Sequence, residues 1–360
     1  MCIPQGEYVF FGENHESNAP APTREQKMSV IDSSNPKSPF SKFIGNERAI
    51  KKIQAAVFDA LGRENHMQRD LAFAIFGPAS SGKTTLARIY AEAVDLPFVE
   101  ISPRSLKSVD DFFEIIESTL SKTDVPLVEC EDDTYYLPPT VVFIDEVHAL
   151  SKGLVNGLLK ATEYKDGVLM TESGKSLDCR KATWIIATTD EGSLFDAFRT
   201  RFSPVMLKYL TKDEISEIVK LANPTLSDDV CDLVSHYNSR IPRKALEFAR
   251  YMKMVKNMHP DLSWKEVAEK VAADEGIDEH GMHEMHLKVL KALVKGPIPR
   301  NRMPNVTGRK EEEVEKYIMP WLLSHTDDQE ALVSVTRRGY AITDSGMNEL
   351  EKRGMICVEC

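Results

Sequence analysis

The chain contains 360 residues, of which 42% are hydrophobic and 28% are charged. This composition is typical of a globular protein with roughly two or three domains, and it excludes a chain that is disordered throughout. Only 18 residues are glycine and no heptad pattern persists, which excludes collagen-like and coiled-coil proteins.

The net charge of −11 is distributed unevenly along the chain. Residues 281–353 contain 12 basic and 11 acidic residues, so the acidic excess lies in the rest of the chain. We therefore expect any nucleic-acid surface to lie near the carboxyl end.

The sequence contains no stretch that approaches the ~18 apolar residues of a membrane span. Its amino terminus lacks the basic and apolar segments of a secretory signal. Six cysteines are scattered along the chain, as is typical of proteins in a reducing compartment. We predict a cytoplasmic protein with no membrane association.

The pattern of apolar residues in the amino-terminal half predicts an α/β domain. Residues 1–37 are rich in polar residues and proline, and we expect a flexible extension there. Helical spacing of apolar residues then predicts a helix over Glu47–Leu61. The strand-like runs that follow have helical patterns between most of them, which predicts a three-layer domain with a parallel sheet. These runs are Leu71–Phe76, Phe98–Ile101, Val141–Ile144 and Trp184–Ala187.

Beyond about Lys208, only helices are predicted until the third unit begins. They cover Lys212–Ala222, Ser227–Tyr237 and Pro242–Val255, and another starts at Ser263 with capping-box spacing. A linker near Asp274–His280 leads to two further helices and two short strands, a pattern typical of a winged helix. These elements are Met282–Val294, Lys310–Leu323, Ala331–Val335 and Tyr340–Thr343.

The segment Gly77–Thr84 matches the P-loop pattern in full. It follows an apolar run and opens a helical one at Thr85, which is the context that the motif requires. Gly77 and Gly82 allow backbone N–H groups to surround phosphates, and the helix start favours negative charge. We expect Lys83 to reach the β- and γ-phosphates and Thr84 to bind Mg²⁺.

Two carboxylates follow the buried run Val141–Ile144. We expect Asp145 to hold Mg²⁺ and Glu146 to orient and polarise the attacking water. The run Trp184–Ala187 is followed by two threonines, of which Thr189 is the predicted sensor of the γ-phosphate.

Two arginine positions complete the predicted site. Arg199 and Arg201 follow a short helical stretch, and a guanidinium there could stabilise transition-state charge in a neighbouring subunit. The spacing does not decide between them. Arg243 follows Pro242 at the start of a helix, from where it could reach the phosphates.

In this order the motifs resemble those of AAA+ ATPases. Several segments further resemble the RuvB family of Holliday-junction branch-migration motors, over roughly residues 36–353. The segments that carry the resemblance are Phe43–Asn46, Gly77–Thr84, Asp145–His148, Ala187–Thr189, Arg199–Phe202, Pro242–Arg243 and the wing at Thr336–Gly339.

The resemblance implies an ATP-driven DNA translocase or helicase that uses ATP and Mg²⁺ and forms a ring, expected to be hexameric. It places Phe43 and Ile44 at the adenine pocket. It makes Arg201 the finger that acts in a neighbouring subunit and Arg243 the second nucleotide sensor.

The same resemblance implies duplex or four-way junction DNA as the partner, in recombination and repair. A winged helix would contact the DNA backbone through Arg337 and Arg338, and such contacts give grip without sequence preference.

The resemblance also implies a domain organisation. It predicts a flexible extension over 1–37, a large ATPase domain over 38–208 and a small helical lid domain over 209–276. A winged-helix domain over 277–354 and a tail over 355–360 follow.

Some features depart from the RuvB pattern. The predicted hairpin Val168–Thr171/Ser176–Cys179 is short and polar where the family's hairpin engages RuvA, so we do not expect dependence on a RuvA-type partner. The alternative function is an AAA+ loader or replication initiator with a winged helix, in which ATP acts as a switch. Continuous hydrolysis stimulated by duplex DNA would distinguish the motor from the loader.

Overall fold

The computed structural model describes most of the chain and assigns it an α/β fold with two further helical units. The described residues are 23–62, 72–130, 133–163, 166–189, 192, 196–238, 241–324 and 330–356. Residues 1–22 of the predicted extension over 1–37 and residues 357–360 of the predicted tail over 355–360 lie outside these ranges.

The large domain is built on a five-stranded sheet in which every neighbouring pair of strands is parallel. Its helices are α1 (Arg24–Ile31), α2 (Glu47–Ala60), α3 (Lys83–Ala93), α4 (Val109–Leu120), α5 (Lys152–Ala161) and α6 (Asp196–Arg199). Its strands are β1 (Phe73–Phe76), β2 (Phe98–Ile101), β3 (Val128–Glu129), β4 (Thr134–Tyr136), β5 (Thr140–Ile144), β6 (Val168–Met170), β7 (Ser176–Asp178), β8 (Ala182–Thr188) and β9 (Ser203–Met206).

The strand order β2-β5-β8-β1-β9 places the predicted motifs side by side. β1, β5 and β8 are buried along their whole length, as expected for central strands that are covered on both faces. One hydrophobic core lies on each face of the sheet. The three-layer α/β prediction is therefore confirmed.

The structure differs from the predicted element list at several places. β9 was missed because Ser203–Met206 contains a proline, which parallel pairing tolerates only at an edge strand. β3 and β4 were also missed, and they extend the predicted hairpin β6–β7 into a second sheet of order β3-β4-β7-β6.

Residues 23–37 are not an extension of the kind that the sequence predicted. α1 has a capping box between Thr23 and Gln26, and Val30 and Ile31 pack against the core that α2 covers. The Gln54 side chain also donates a hydrogen bond to the Ile31 carbonyl. The folded structure therefore begins before residue 37. α1 was not predicted from the sequence, because one face of this helix is polar.

The helical lid and the winged helix follow, each around its own hydrophobic core. The lid contains α7 (Lys212–Ala222), α8 (Asp228–Tyr237), α9 (Pro242–Met258) and α10 (Trp264–Asp274). The winged helix contains α11 (Glu284–Leu293), α12 (Met303–Thr307), α13 (Glu311–Glu313), a π-helical turn (Val314–Ile318), α14 (Met319–Leu323), β10 (Val333–Thr336), β11 (Gly339–Ile342) and α15 (Asp344–Lys352).

The predicted helix Lys310–Leu323 is broken in the structure. Pro320 lies near the start of α14 and lacks a backbone N–H, so the regular hydrogen-bond ladder cannot continue through it. The π-helical turn lies immediately before α14. No helix within the described ranges is both long and apolar enough to cross a bilayer.

Candidate functional site

The P-loop connects β1 to α3 at the carboxyl edge of the large sheet. A Cβ atom on Gly77 would lie 2.8 Å from the Leu207 Cβ, so this position has no room for a side chain. Gly82 has a φ of 94°, a left-handed conformation that glycine adopts without strain. Both glycines predicted from the motif therefore have a steric reason to be glycine.

Lys83 is held inside this loop. Its side chain is buried, with 6% of the residue exposed, and its Nζ donates hydrogen bonds to the carbonyls of Gly77 and Pro78, each at 3.0 Å. Burial lowers the pKa of Lys83, and the charges of Glu146 and Asp145 oppose that shift. An anionic phosphate in the loop would offer this ammonium group a stronger partner than two carbonyls.

Asp145 and Glu146 follow β5, which lies two strands from β1 in the sheet. The Asp145 backbone N–H donates to the Ile101 carbonyl at 3.1 Å and continues the pairing with β2. Burial raises the pKa of the Asp145 carboxyl, the Glu146 charge adds to the shift and Lys83 opposes it. The site therefore holds an acidic pair and one buried cation at close range.

The Glu146 carboxylate is fixed by the end of the neighbouring strand β8. Glu146 has a φ of 48°, which is uncommon for a residue other than glycine and is a feature of strained functional positions. Its Oε2 accepts hydrogen bonds from the backbone N–H of Thr189 at 3.2 Å and from its Oγ1 at 3.1 Å. The structure thus brings the predicted sensor into contact with the predicted base.

His148 also belongs to this group, although sequence reasoning gave it no role. Its Nδ1 lies 3.3 Å from Glu146 Oε2 and 2.8 Å from Thr188 Oγ1. The signal in the sequence was that His148 ends the Asp145–His148 segment that carries the family resemblance, two residues after Glu146.

Phe43 lies against the P-loop. A Cβ on Gly82 would lie 3.0 Å from Phe43 Cε2, and 9% of Phe43 is exposed. Ile44 beside it is half-buried. Asn46 then pairs with the backbone of Lys208, where its Oδ1 accepts from the N–H at 2.6 Å. This segment therefore bridges the P-loop and the chain that enters the lid.

Arg201 is held away from the P-loop of its own chain. Its guanidinium donates to the Leu159 carbonyl and to Thr162 Oγ1, and it forms an ion pair with Glu163 at 3.3 Å. These partners all lie at the end of α5. Arg199 is exposed in α6, so the geometry within one chain does not decide which arginine is the finger.

The remaining predicted residues lie on two helices and one turn. Thr84 is half-buried and Thr85 is exposed in the first turn of α3. Arg243 is exposed in the first turn of α9, immediately after the predicted proline. Arg337 and Arg338 are exposed and form the two-residue turn between β10 and β11.

The donors near the P-loop fit a magnesium ion. Mg²⁺ prefers hard oxygen ligands and is commonly held by one or two carboxylates, waters and substrate phosphates. Thr84 and Asp145 offer a hydroxyl and a carboxylate beside the loop. The described residues contain no cluster of three or more His, Cys, Asp or Glu side chains that could hold a metal ion.

Comparisons with known proteins agree with this geometry. Residues 73–209 match the family described as ATPase family associated with various cellular activities (AAA). The chain is 26% identical over 345 residues to the Holliday junction branch migration complex subunit RuvB of Thermotoga maritima, covering 92% of this chain and 96% of that protein. It is 24% identical over 328 residues to RuvB of Mycoplasma pneumoniae, covering 88% of this chain and 97% of that protein.

The solved structures that resemble the chain also include structures of RuvB. The structure of Thermotoga maritima RuvB, described as a Holliday junction branch migration motor, matches with a TM-score of 0.68 and 24% sequence identity. The match covers 89% of this chain and 99% of that one. It therefore includes most of all three units of the fold.

Proposed function

Because the chain is a RuvB-like AAA+ ATPase, we propose that it is an ATP-driven motor that moves DNA and migrates the branch point of four-way junctions. The observation that carries this proposal is the group formed by Lys83, Asp145, Glu146 and Thr189 at the carboxyl edge of one sheet, in a chain that also contains a winged helix. Neither the group of site residues alone nor the winged helix alone would indicate a motor.

The P-loop side of the site binds and orients the nucleotide. Lys83 exchanges its two carbonyl partners for the β- and γ-phosphates, and Phe43 and Ile44 line the adenine pocket beside Gly82. Thr84 and Asp145 hold Mg²⁺, which neutralises charge on the phosphates when it is bound. Gly77 and Thr85 shape the two ends of the loop.

Glu146 acts as the base that orients and polarises water. In the structure its carboxylate is hydrogen-bonded to Thr189, so it must leave this partner or share it with a water molecule before hydrolysis. The Thr189 hydroxyl and the Glu146 carboxylate would both lie near the γ-phosphate. A contact between Thr189 and that phosphate can therefore change the hydrogen bond that Thr189 makes with Glu146.

Hydrolysis is completed by a neighbouring copy of the chain in a ring, which we expect to be a hexamer. Arg201 follows α6, and its guanidinium contacts the end of α5 and not the P-loop of its own chain, which suits a residue that serves the adjacent subunit. Arg243 contacts the phosphates from the lid of the same chain. Through this arrangement ATP turnover depends on assembly.

The winged helix provides the DNA surface. Arg337 and Arg338 form the exposed wing turn and contact phosphates without reading base edges. This favours a motor, because translocation requires contacts that are equivalent at every position along the duplex.

We also propose that the motor does not depend on a RuvA-type partner. The hairpin turn after β6 is tied to its own chain, since the Asp110 carboxylate accepts hydrogen bonds from the backbone N–H groups of Glu172 at 2.8 Å and Ser173 at 3.2 Å. A turn fixed in this way presents few unpaired backbone groups to a partner.

The test is steady-state ATP hydrolysis by the full chain with and without duplex and four-way DNA, together with a gel assay of junction dissociation. We expect DNA to stimulate hydrolysis and ATP to drive junction dissociation. Lys83→Ala should abolish both by removing the phosphate ligand, whereas Lys51→Ala, an exposed lysine on α2, should alter neither.

A chain that hydrolyses ATP once per loading event and gains nothing from duplex DNA would contradict the motor. That result would favour the AAA+ loader in which ATP acts as a switch.

A further inference from the structure

A cleft of about 790 Å³ lies in the winged helix, between the end of α11 and the wing. Its floor is apolar and its rim is cationic. The lining residues are Lys291, Ala292, Lys295, Gly296, Pro297, Ile298 and Arg338.

The two walls of this cleft are fixed relative to each other. Ile298 and Tyr340 form a reciprocal pair of backbone hydrogen bonds, each of 2.9 Å. Gly339 has a φ of 117°, and a Cβ there would collide with the Ile298 carbonyl. The segment that leaves α11 is thus joined to the wing by a single antiparallel β-bridge.

Buried contacts of the Tyr340 side chain beneath the wing also hold the two walls in place. Tyr340 is 1% exposed, and its hydroxyl donates to the Glu315 carboxylate, whose oxygens both lie at 2.6 Å. The guanidinium of Arg300 covers the Tyr340 ring, with 5.6 Å between Arg300 Cζ and the ring centroid. The cleft is therefore a preformed feature of the fold.

The cations on the rim lack acidic partners. Lys291, Lys295 and Arg338 are exposed, no acidic residue lines the cleft, and their side chains form no ion pair within the described part of the chain. Elsewhere in this domain Arg309 pairs with Glu313 at 3.9 Å and Arg353 pairs with Asp278 and Glu349. The cleft therefore presents three exposed positive charges with no acidic residue in its lining.

We infer that this cleft is a second phosphate-binding site, in which Lys291 and Lys295 grip the DNA backbone together with the wing. The inference rests on the proposed function and deepens it by adding the end of α11 to the DNA surface. Lys291 lies in the last turn of α11, Lys295 lies two residues beyond its end, and both line the same cleft. The two lysines can therefore contact neighbouring phosphates of one strand.

The chemistry of the cleft favours a sugar–phosphate backbone over bases. Lysine ammonium groups act as point charges on phosphates, and the floor offers no side-chain amide or carboxylate to read a base edge. The site would therefore hold DNA without sequence preference, and it would fix the angle at which the duplex meets the wing.

The test compares the duplex DNA affinity of three full-length double variants across a range of salt concentrations. Lys291→Gln with Lys295→Gln should raise Kd roughly 10-fold and make the slope of log K against log salt shallower by about two, because each lost phosphate contact contributes ~0.9 to that slope. Lys291→Arg with Lys295→Arg keeps the charge and should bind almost as the parent does.

The control is Lys265→Gln with Lys270→Gln, two exposed lysines on α10 of the lid. It removes the same charge outside the cleft and should retain the parent affinity. Equal losses in the cleft and control variants would show an effect of net charge and would overturn the inference.

Parent affinity in the Lys291→Gln/Lys295→Gln variant would also overturn the inference while leaving the motor and its wing intact. If that variant keeps DNA affinity but loses self-association in size-exclusion chromatography, the cleft binds an acidic surface of a second copy and the inference is wrong. If the parent chain binds no duplex DNA, the proposed function fails together with the inference.

Discussion

In the nucleotide site Lys83 is buried against two carbonyls and lies close to two carboxylates, whereas in the winged helix Lys291, Lys295 and Arg338 are exposed and have no acid in their cleft. A buried charge interacts strongly with its neighbours because little solvent screens it. An exposed charge acts over a distance set by salt. The first arrangement suits chemistry on one phosphate group, and the second suits a sliding contact with many.

This contrast predicts different responses to mutation. In the nucleotide site a single side chain should be decisive, because each group has a fixed partner. On the DNA surface the effects should be graded and should depend on salt.

The largest effect is expected for Glu146→Gln. The amide cannot act as a base, so kcat should fall by roughly 10²–10⁴-fold, as is usual for loss of a general base. ATP binding should persist, because Lys83 and the P-loop are unchanged. Turnover and binding of a fluorescent ATP analogue are to be measured on the same sample. Hydrolysis at the parent rate would remove Glu146 from the mechanism.

A smaller and graded effect is expected for Arg337→Ala with Arg338→Ala. Loss of two phosphate contacts should weaken duplex binding roughly 10-fold and make the salt slope shallower by about two. The loss should be the same for unrelated DNA sequences. Fluorescence anisotropy over a salt series measures both quantities, and an unchanged affinity would remove the wing from the DNA surface.

The smallest effect is expected for Asp145→Asn and concerns thermal stability. It tests whether the buried Asp145 carboxylate destabilises the nucleotide-free protein when it is ionised. The pKa of Asp145 is raised mainly by burial, so the folded protein binds a proton there more tightly than the unfolded chain does. Ionisation of Asp145 therefore costs stability as pH rises through its pKa values. Asp145→Asn removes that cost and should raise the Tm of the nucleotide-free protein by a few degrees.

The pH dependence provides the check on this prediction. The gain in Tm should be larger at pH 8 than at acidic pH, because the raised pKa of Asp145 makes the cost of ionisation decrease as the pH falls. A gain that does not change with pH would assign the effect to packing. The exposed carboxyl of Asp213 on α7 offers a control in Asp213→Asn, which should leave Tm nearly unchanged.

The sequence allowed the central strands and the P-loop to be predicted because their signals are local. β1, β5 and β8 are continuous apolar runs, and the loop requires glycine at fixed positions. β9 was missed because two of its four residues are Ser203 and Pro204, and its position at the sheet edge depends on tertiary pairing. α1 was missed because only one short face of it is apolar.

The contacts within the site depended on the folded chain. Sequence reasoning favoured Thr189 over Thr188 as the sensor, although spacing alone did not decide between them. The bond to Glu146 follows from the left-handed turn after β5 and from the pairing of β5 with β8. His148 enters the same group for the same reason. The contact of Arg201 with the end of α5 also depends on tertiary structure, and its proposed role in a second copy would depend on assembly.

The most direct test of a shared site mixes two inactive variants, Arg201→Ala and Glu146→Gln, from separated subunits. Arg201→Ala subunits retain the base and Glu146→Gln subunits retain the finger, so roughly a quarter of the interfaces in an equal, random mixture would be complete. The account predicts ATP hydrolysis in the mixture well above that of either variant alone. Absence of hydrolysis at every mixing ratio, while parent subunits treated in the same way recover full activity, would contradict it.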